Sequence, residues 1–327
     1  MDNRRRREWI AILVACLCLA FVVNLIHFKL TDEYFKATIA DVVNARAPAP
    51  FQHRLLSPFI VYGLSQLTGL KLVTASYLFS LVVMFALFLL FWKFLRRLFK
   101  PTASLVGLFL LALALLAMSA QNVKFTTVCL TCKNYGFRYP YDLTQILFFL
   151  GLIFFMLDRK IIAWYALLAL ATFNRETTLL LLPALFLIWR NDNKRSAAVH
   201  LAISFAVWIG IKFLLSNLLP VSGATMDNKI YSNIALFLGQ KNGASLLSLL
   251  MVFGGFWLFL PFGYRHMPRE YRLLLITVPL TFAIMFFVGN LDEIRIFNEL
   301  AVIAIPSILA GLLGLLEGDS AFLSPAA

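Results

Sequence analysis

The chain has 327 residues, 61% of them hydrophobic and only 14% charged, with 32 phenylalanines, and its mean hydropathy is +0.84. Soluble globular domains do not reach such values, so the composition excludes them and predicts an integral membrane protein. The formal charge of +13 comes with no aromatic-basic motif for nucleic acid, and it reads as membrane orientation and attraction to anionic lipid.

Crossing a hydrocarbon core about 30 Å thick takes about 20 helical residues. Apolar runs predict spans at 9–28, 73–92, 103–120, 143–157, 161–173, 178–189, 197–216, 244–263, 273–289 and 299–316. The expected fold is all-α, a polytopic transmembrane protein of about ten spans in a single integral membrane domain over 1–327. No stretch is long and polar enough for a separate soluble domain.

The first span follows "MDNRRRREW". No small-residue cleavage site comes promptly after it, and "ARAPAP" at 45–50 is too late, so this span is expected to stay as a permanent anchor. Cys16 and Cys18 within it read as packing residues. The Arg4–Arg7 cluster and "KFLRRLFK" at 93–100 fall on one side after two crossings, which the positive-inside rule assigns to the cytoplasm. The expected location is the cytoplasmic (inner) membrane, with both termini inside and outer loops at 29–72, 121–142, 217–243 and 290–298.

The first outer loop opens with Asp32 and Glu33 just beyond the span. Further on, Pro48, Pro50 and Pro58 bracket His53 and Arg54, while Leu55, Phe59, Ile60, Leu64 and Leu67 recur at roughly helical spacing. That pattern predicts a short helix lying along the membrane surface. The second outer loop offers Lys124, Arg138 and Asp142 among Tyr135, Tyr139 and Tyr141, a mixture suited to a polar headgroup held against aromatic faces. It also carries Cys129 and Cys132 as C-x-x-C. An oxidising compartment permits a disulfide there, whereas zinc would need two more ligands, such as His27 or His53.

The run "LLALATFNRETTLLLLPALF" at 167–186 places Asn174, Arg175 and Glu176 in the middle of apolar sequence. One long helix over 161–189 would send Arg190, Lys194, Arg195, Arg265, Arg269 and Arg272 outside; a hairpin of two short arms keeps them inside and is preferred. Arms of 12 or 13 residues reach only about 18–20 Å, so the re-entrant-like tip is expected to stop below the outer surface, in a polar pocket opening outward. The last outer loop, "GNLDEIRIFNEL", supplies Asp292, Glu293, Arg295 and Glu299, the last two one helical turn apart.

Carboxylates and arginines thus recur in several outward segments. Transfer from a phosphate-activated lipid donor needs a carboxylate to take a proton from the acceptor hydroxyl and cations to hold the phosphate. Arginine suits the second task because its planar fork grips two oxygens. An acidic residue after the first span, a long first outer loop with a surface helix and the elements "PFQHRLLSPFI", "FNRETTLLLLPAL" and "DEIRIFNEL" together resemble the GT-C superfamily of membrane glycosyltransferases, in its bacterial members, over roughly residues 9 to 316.

The resemblance implies sugar transfer from a polyprenyl-phosphate-linked donor to an extracytoplasmic acceptor, with Asp32 at the position of the catalytic base and Glu33 as the adjacent alternative. Glu176 is the candidate for positioning or a second acid-base role, and His53, Arg54, Arg138, Arg175 and Arg295 for substrate or phosphate binding. No metal ligand set is read and no cofactor is named, a divalent cation being left open. The partners expected are the lipid-linked donor, membrane lipids and other membrane proteins. Other readings stand beside this one: Asp32 and Glu33 as a solvated helix end, Arg175–Glu176 as an ion pair pinning the hairpin, Arg295–Glu299 as an ordinary turn-spaced pair, and His53–Arg54 as a headgroup-level anchor. The protein as a whole could also be a non-catalytic GT-C-like subunit of a larger assembly, a transporter or a glycan polymerase.

Overall fold

A computed structural model describes residues 3–120, 137–219, 229–240, 249–250, 252–291 and 293–316. The helices are α1 Asn3–Leu30, α2 Ile39–Val43, α3 Leu56–Thr68, α4 Leu72–Leu95, α5 Pro101–Ala120, α6 Pro140–Leu157, α7 Ile161–Asn174, α8 Leu182–Trp189, α9 Lys194–Leu218, α10 Ile230–Phe237, α11 Leu260–Tyr264, α12 Arg269–Leu274, α13 Thr277–Val288 and α14 Ala301–Leu316. Tight 3₁₀ segments lead into three of them: Glu176–Leu181 into α8, Val252–Phe259 into α11 and Ile294–Leu300 into α14. The only strand pairing among the described residues is a two-residue parallel contact, β1 Asp32–Glu33 with β2 Phe137–Arg138.

Helix is the solution that satisfies every backbone group inside the segment, which lipid demands. Among the described residues six helices are long and apolar enough to cross a membrane: Arg6–Leu30, Leu72–Leu95, Pro140–Leu157, Lys194–Leu218, Arg269–Val288 and Arg295–Leu316. The remainder of the ten expected spans correspond to shorter apolar helices, Pro101–Ala117, Ile161–Asn174, Glu176–Trp189 and Val252–Tyr264. The expected span at 244–263 is broken, because Phe253, Gly254 and Gly255 all take left-handed backbone angles (φ 52°, 69° and 85°). Proline sets several starts, at the first turn of α6, α8 and α11, where its missing N–H has no helical partner to lose. Asn193 caps α9, its side-chain oxygen accepting from the Arg195 and Ser196 amides at 2.9 and 3.1 Å.

The bundle has a centre and a periphery. The windows of α6 and of Arg295–Leu316 are 78% buried, whereas that of α9 is 11% buried, so the first two are ringed by helices while α9 turns most of its surface outward. Phe88, Phe91, Phe149, Leu150, Trp164 and Leu309 are among the fully enclosed core side chains. The tightest approach is α11 on α14: a Cβ placed on Gly263 would sit 1.7 Å from the Ser307 carbonyl oxygen, and one on Gly311 would sit 2.4 Å from that of Phe259. Small residues let two helix backbones meet in this way.

Contacts between loops define two ends. At the lower end, where α1 begins, Arg97 pairs with Asp158, Arg159 with Asp192, and Arg269 donates to Asn191. At the upper end, where α1 finishes, the Leu55 amide donates to the Phe173 carbonyl, which ties the segment before α3 to the end of α7. The short helix that the spacing predicts is present as α3, which exposes Phe59, Ile60, Leu64 and Leu67 and buries Ser57, Pro58 and Val61.

Candidate functional site

The upper end gathers all the described candidate residues. α7 stops at Asn174, Arg175 takes an extended conformation (φ −163°, ψ 146°) and the chain reverses into the 3₁₀ turn from Glu176. Three consecutive side chains leave this corner in three directions. Asn174 is fully buried; its amide nitrogen donates to the Tyr141 carbonyl (2.9 Å) and to Gln145 Oε1 (3.0 Å), and its oxygen accepts from Ser57 Oγ (2.5 Å).

Arg175, 5% exposed, reaches Asp142 Oδ1 at 3.2 Å and Glu299 Oε1 at 2.9 Å from a single terminal nitrogen. Glu176 pairs with Arg54, which also donates to the Tyr141 hydroxyl at 3.2 Å. The tip therefore does not form an internal Arg175–Glu176 pair, because adjacent residues on an extended-to-3₁₀ junction project apart. Its charges close on α6, on the segment preceding α14 and on Arg54.

Asp142, which the sequence suggests as a headgroup contact in a loop, instead lies in the first turn of α6, where a carboxylate also meets the positive end of the helix. It is shared by two arginines, Arg175 and Arg295, the latter at 3.2 Å. Arg295 also holds Glu293 at 2.7 Å and lies over the Tyr139 ring, 4.3 Å from its centroid. Glu299 accepts from Thr177 Oγ1 at 2.9 Å and from Arg175. Arg295 and Glu299 thus face different partners, because their segment is 3₁₀, in which residues i and i+3, rather than i and i+4, align. Arg54 is not a headgroup-level anchor either: it is 7% exposed, over the rings of Phe51 and Tyr141.

Beside this closed network lies a more open part. β1 and β2 set Asp32 against Phe137 and Glu33 against Arg138. Asp32 is exposed and, among the described residues, takes part in no ion pair or side-chain hydrogen bond. Glu33 accepts from the Ile39 amide at 2.5 Å, so it caps α2. Arg138 donates to the Thr31 carbonyl at 3.2 Å and stacks on Phe28 at 3.8 Å. Burial lowers its pKa, and the charges of Glu33 and Asp32 oppose that shift. Tyr34, Phe51, Tyr139 and Tyr141 form a continuous ring contact from this edge to Arg54.

His53 borders the same region, with Nε2 3.4 Å from the Leu219 carbonyl at the end of α9. Burial first, and then Lys212, hold its pKa below the ordinary value, which favours the neutral ring. Sequence reasoning missed Lys212 and Trp208, both on α9; Trp208 Nε1 donates to the Glu176 carbonyl at 3.0 Å, and Lys212 is within electrostatic reach of Glu176 and Arg54. A lysine in the middle of an apolar span was the available signal.

No group of three or more His, Cys, Asp or Glu side chains that could hold a metal occurs among the described residues. Lys124, Cys129, Cys132, Tyr135 and Asp292 lie outside them. No family model, no curated protein and no solved structure matches the chain.

Proposed function

We propose that the protein is a membrane glycosyltransferase that moves a sugar from a polyprenyl-phosphate-linked donor to an acceptor hydroxyl at the upper end of the bundle. The observation that carries this reading is the exposed Asp32 carboxylate, just past the end of α1, beside Arg138 and the Tyr34–Phe51–Tyr139 rings. In this reading Asp32 takes the acceptor proton as the hydroxyl oxygen bonds to the sugar's anomeric carbon, and the lipid phosphate leaves with the bonding electron pair. Arg138 faces the departing phosphate, while His53 borders the site from the Glu176 side of the rings. Glu176 paired with Arg54, and Arg175 and Arg295 joined through Asp142, hold the floor of the site. In this reading the lower end, which carries the basic clusters, faces the cytoplasm, as do both termini.

A second reading draws on the closure of the same network. Arg54, Arg175 and Arg295 are each committed to a carboxylate, as befits a non-catalytic GT-C-like subunit of a larger membrane assembly. Profiling of glycans and lipid-linked saccharides in cells carrying the wild type, Asp32→Asn or a deletion, at matched membrane abundance, separates the two. Loss of one defined sugar with accumulation of its lipid-linked precursor supports transfer. Unchanged profiles in both the variant and the deletion overturn it.

A further inference from the structure

An apolar groove of about 680 Å³ lies between the Glu176–Trp189 arm, α9 and α13. Leu179, Pro183 and Phe186 form one wall, Leu201 and Phe205 the second, and Leu280 and Ile284 the third. Volumes of about 300–1,000 Å³ suit a ligand of tens of atoms. Of the six long apolar helices among the described residues α9 is the least covered by protein, so the groove opens toward the lipid-facing side.

The wall on α9 is a helical stripe, Ala198, Leu201, Ala202 and Phe205, and the same stripe continues to Trp208 and Lys212 at steps of three and four. Lys212 stands seven residues beyond Phe205, about 10 Å along the axis. It forms no hydrogen bond or ion pair among the described residues. Its electrostatic neighbours are Glu176 and two further basic groups, Arg54 and His53. Arg54 and Glu176 satisfy each other, which leaves Lys212 as cationic excess above the groove. An ammonium within an apolar span is costly without an anion.

We infer that this groove and Lys212 form one binding site for an anionic lipid phosphate, whose hydrocarbon chain lies along α8, α9 and α13 and whose phosphate meets the Lys212 ammonium. A neutral lipid would leave the lysine uncompensated, and a free phosphate would leave the groove unfilled. The site lies on the Glu176 side of the aromatic contact, opposite Asp32. Binding there does not require transfer, and rests on the glycosyltransferase reading only if the bound lipid is the donor.

The test uses the full chain in nanodiscs of phosphatidylcholine, titrated separately with phosphatidylglycerol, with a short isoprenyl phosphate and with inorganic phosphate, the bound lipid being read by native mass spectrometry. Lys212→Met is expected to weaken both anionic lipids about tenfold, the value of one charge-assisted contact, whereas Lys212→Arg retains them. Ala202→Trp, which fills the groove, is expected to abolish lipid retention without lowering the melting temperature. Asp32→Asn keeps retention even where transfer is lost, so the two proposals fail separately. Preference for the isoprenyl phosphate makes the site a donor site; equal retention of phosphatidylglycerol makes it a structural lipid site, and either result supports the inference. Retention unchanged in both Lys212→Met and Ala202→Trp, or inorganic phosphate displacing the lipid, overturns it.

Discussion

Arg54 and Glu176, 122 residues apart, form a two-pronged ion pair: Nε and a terminal nitrogen of the guanidinium reach the two carboxylate oxygens, the first at 3.3 Å. The pair joins the segment before the surface helix to the corner of the hairpin. Breaking a buried pair leaves an uncompensated charge, for which about 3 kcal/mol is the usual scale. Arg54→Met should therefore lower the thermal midpoint strongly in detergent. Glu176→Gln should cost at least as much, because the charge it leaves unpaired, that of Arg54, is the more buried of the two (8% against 24% exposed), and the double variant should recover part of the loss. Strict additivity in the double-mutant cycle would mean that the contact is not energetically coupled.

Asn174 should behave as a structural residue. Replacement by Leu leaves Ser57, Gln145 and the Tyr141 carbonyl without their partner, and each orphaned buried group costs about 1–3 kcal/mol. The expected result is poor membrane accumulation of Asn174→Leu, measured by fluorescence-detected size exclusion. Wild-type accumulation would contradict the hydrogen-bond assignment.

The glycine contact between α11 and α14 admits no side chain. Gly263→Ala should lower stability by about 1–3 kcal/mol through overpacking, and Gly263→Val by more. Gly314, which meets the His266 ring rather than a backbone, should tolerate Ala better. A Gly263→Ala protein as stable as the wild type would refute the close approach.

Low pH should weaken the lower end. The Arg97 guanidinium, through its hydrogen bonds, holds the Asp158 carboxyl below its usual pKa, with slight burial opposing. A depressed folded-state pKa means that the stabilisation is complete above the unfolded value of about 3.9 and is lost as pH falls through the lower folded value. The pair is partly solvated, so the effect is about 0.5 kcal/mol. Asp158→Asn should flatten this acid limb of the melting profile; an unchanged limb would assign it to other carboxylates.

Asp32 and Glu33 should separate in activity. On the proposed reaction, Asp32→Asn replaces the carboxylate with an amide too weakly basic to take the acceptor proton and should slow transfer by about 10²–10⁴-fold. Glu33→Gln keeps an oxygen for the Ile39 amide and should retain most of the rate. Equal losses would indicate that the two act as a structural unit.

The membrane class, the short helix α3 and the reversal at Asn174–Glu176 are legible in the sequence because each leaves a local pattern: apolar length, helical spacing, or charge within apolar surroundings. The partners are not. Nothing near Glu176 points to Arg54, and Asp142 sits among tyrosines as though in a loop, although Pro140 starts a helix there. The turn spacing of Arg295 and Glu299 misleads because spacing carries meaning only once the helix type is known. Lys212 is hidden by the strength of the surrounding hydrophobic signal.

The corner at Asn174–Glu176 also has a consequence for biogenesis. Chains are made from the N-terminus, so Arg175 enters the membrane long before Glu299 and Arg295 are synthesised, and until then Asp142 is its only described carboxylate partner. The first loop and the hairpin can meet through Arg54 and Glu176 early. The pairs of Arg175 with Glu299 and of Arg295 with Asp142 close only when residues 293–316 arrive, so a ribosome-stalled chain ending before residue 290 should expose Arg175 to a quality-control protease. Completion of α14 then acts as the latch on these pairs.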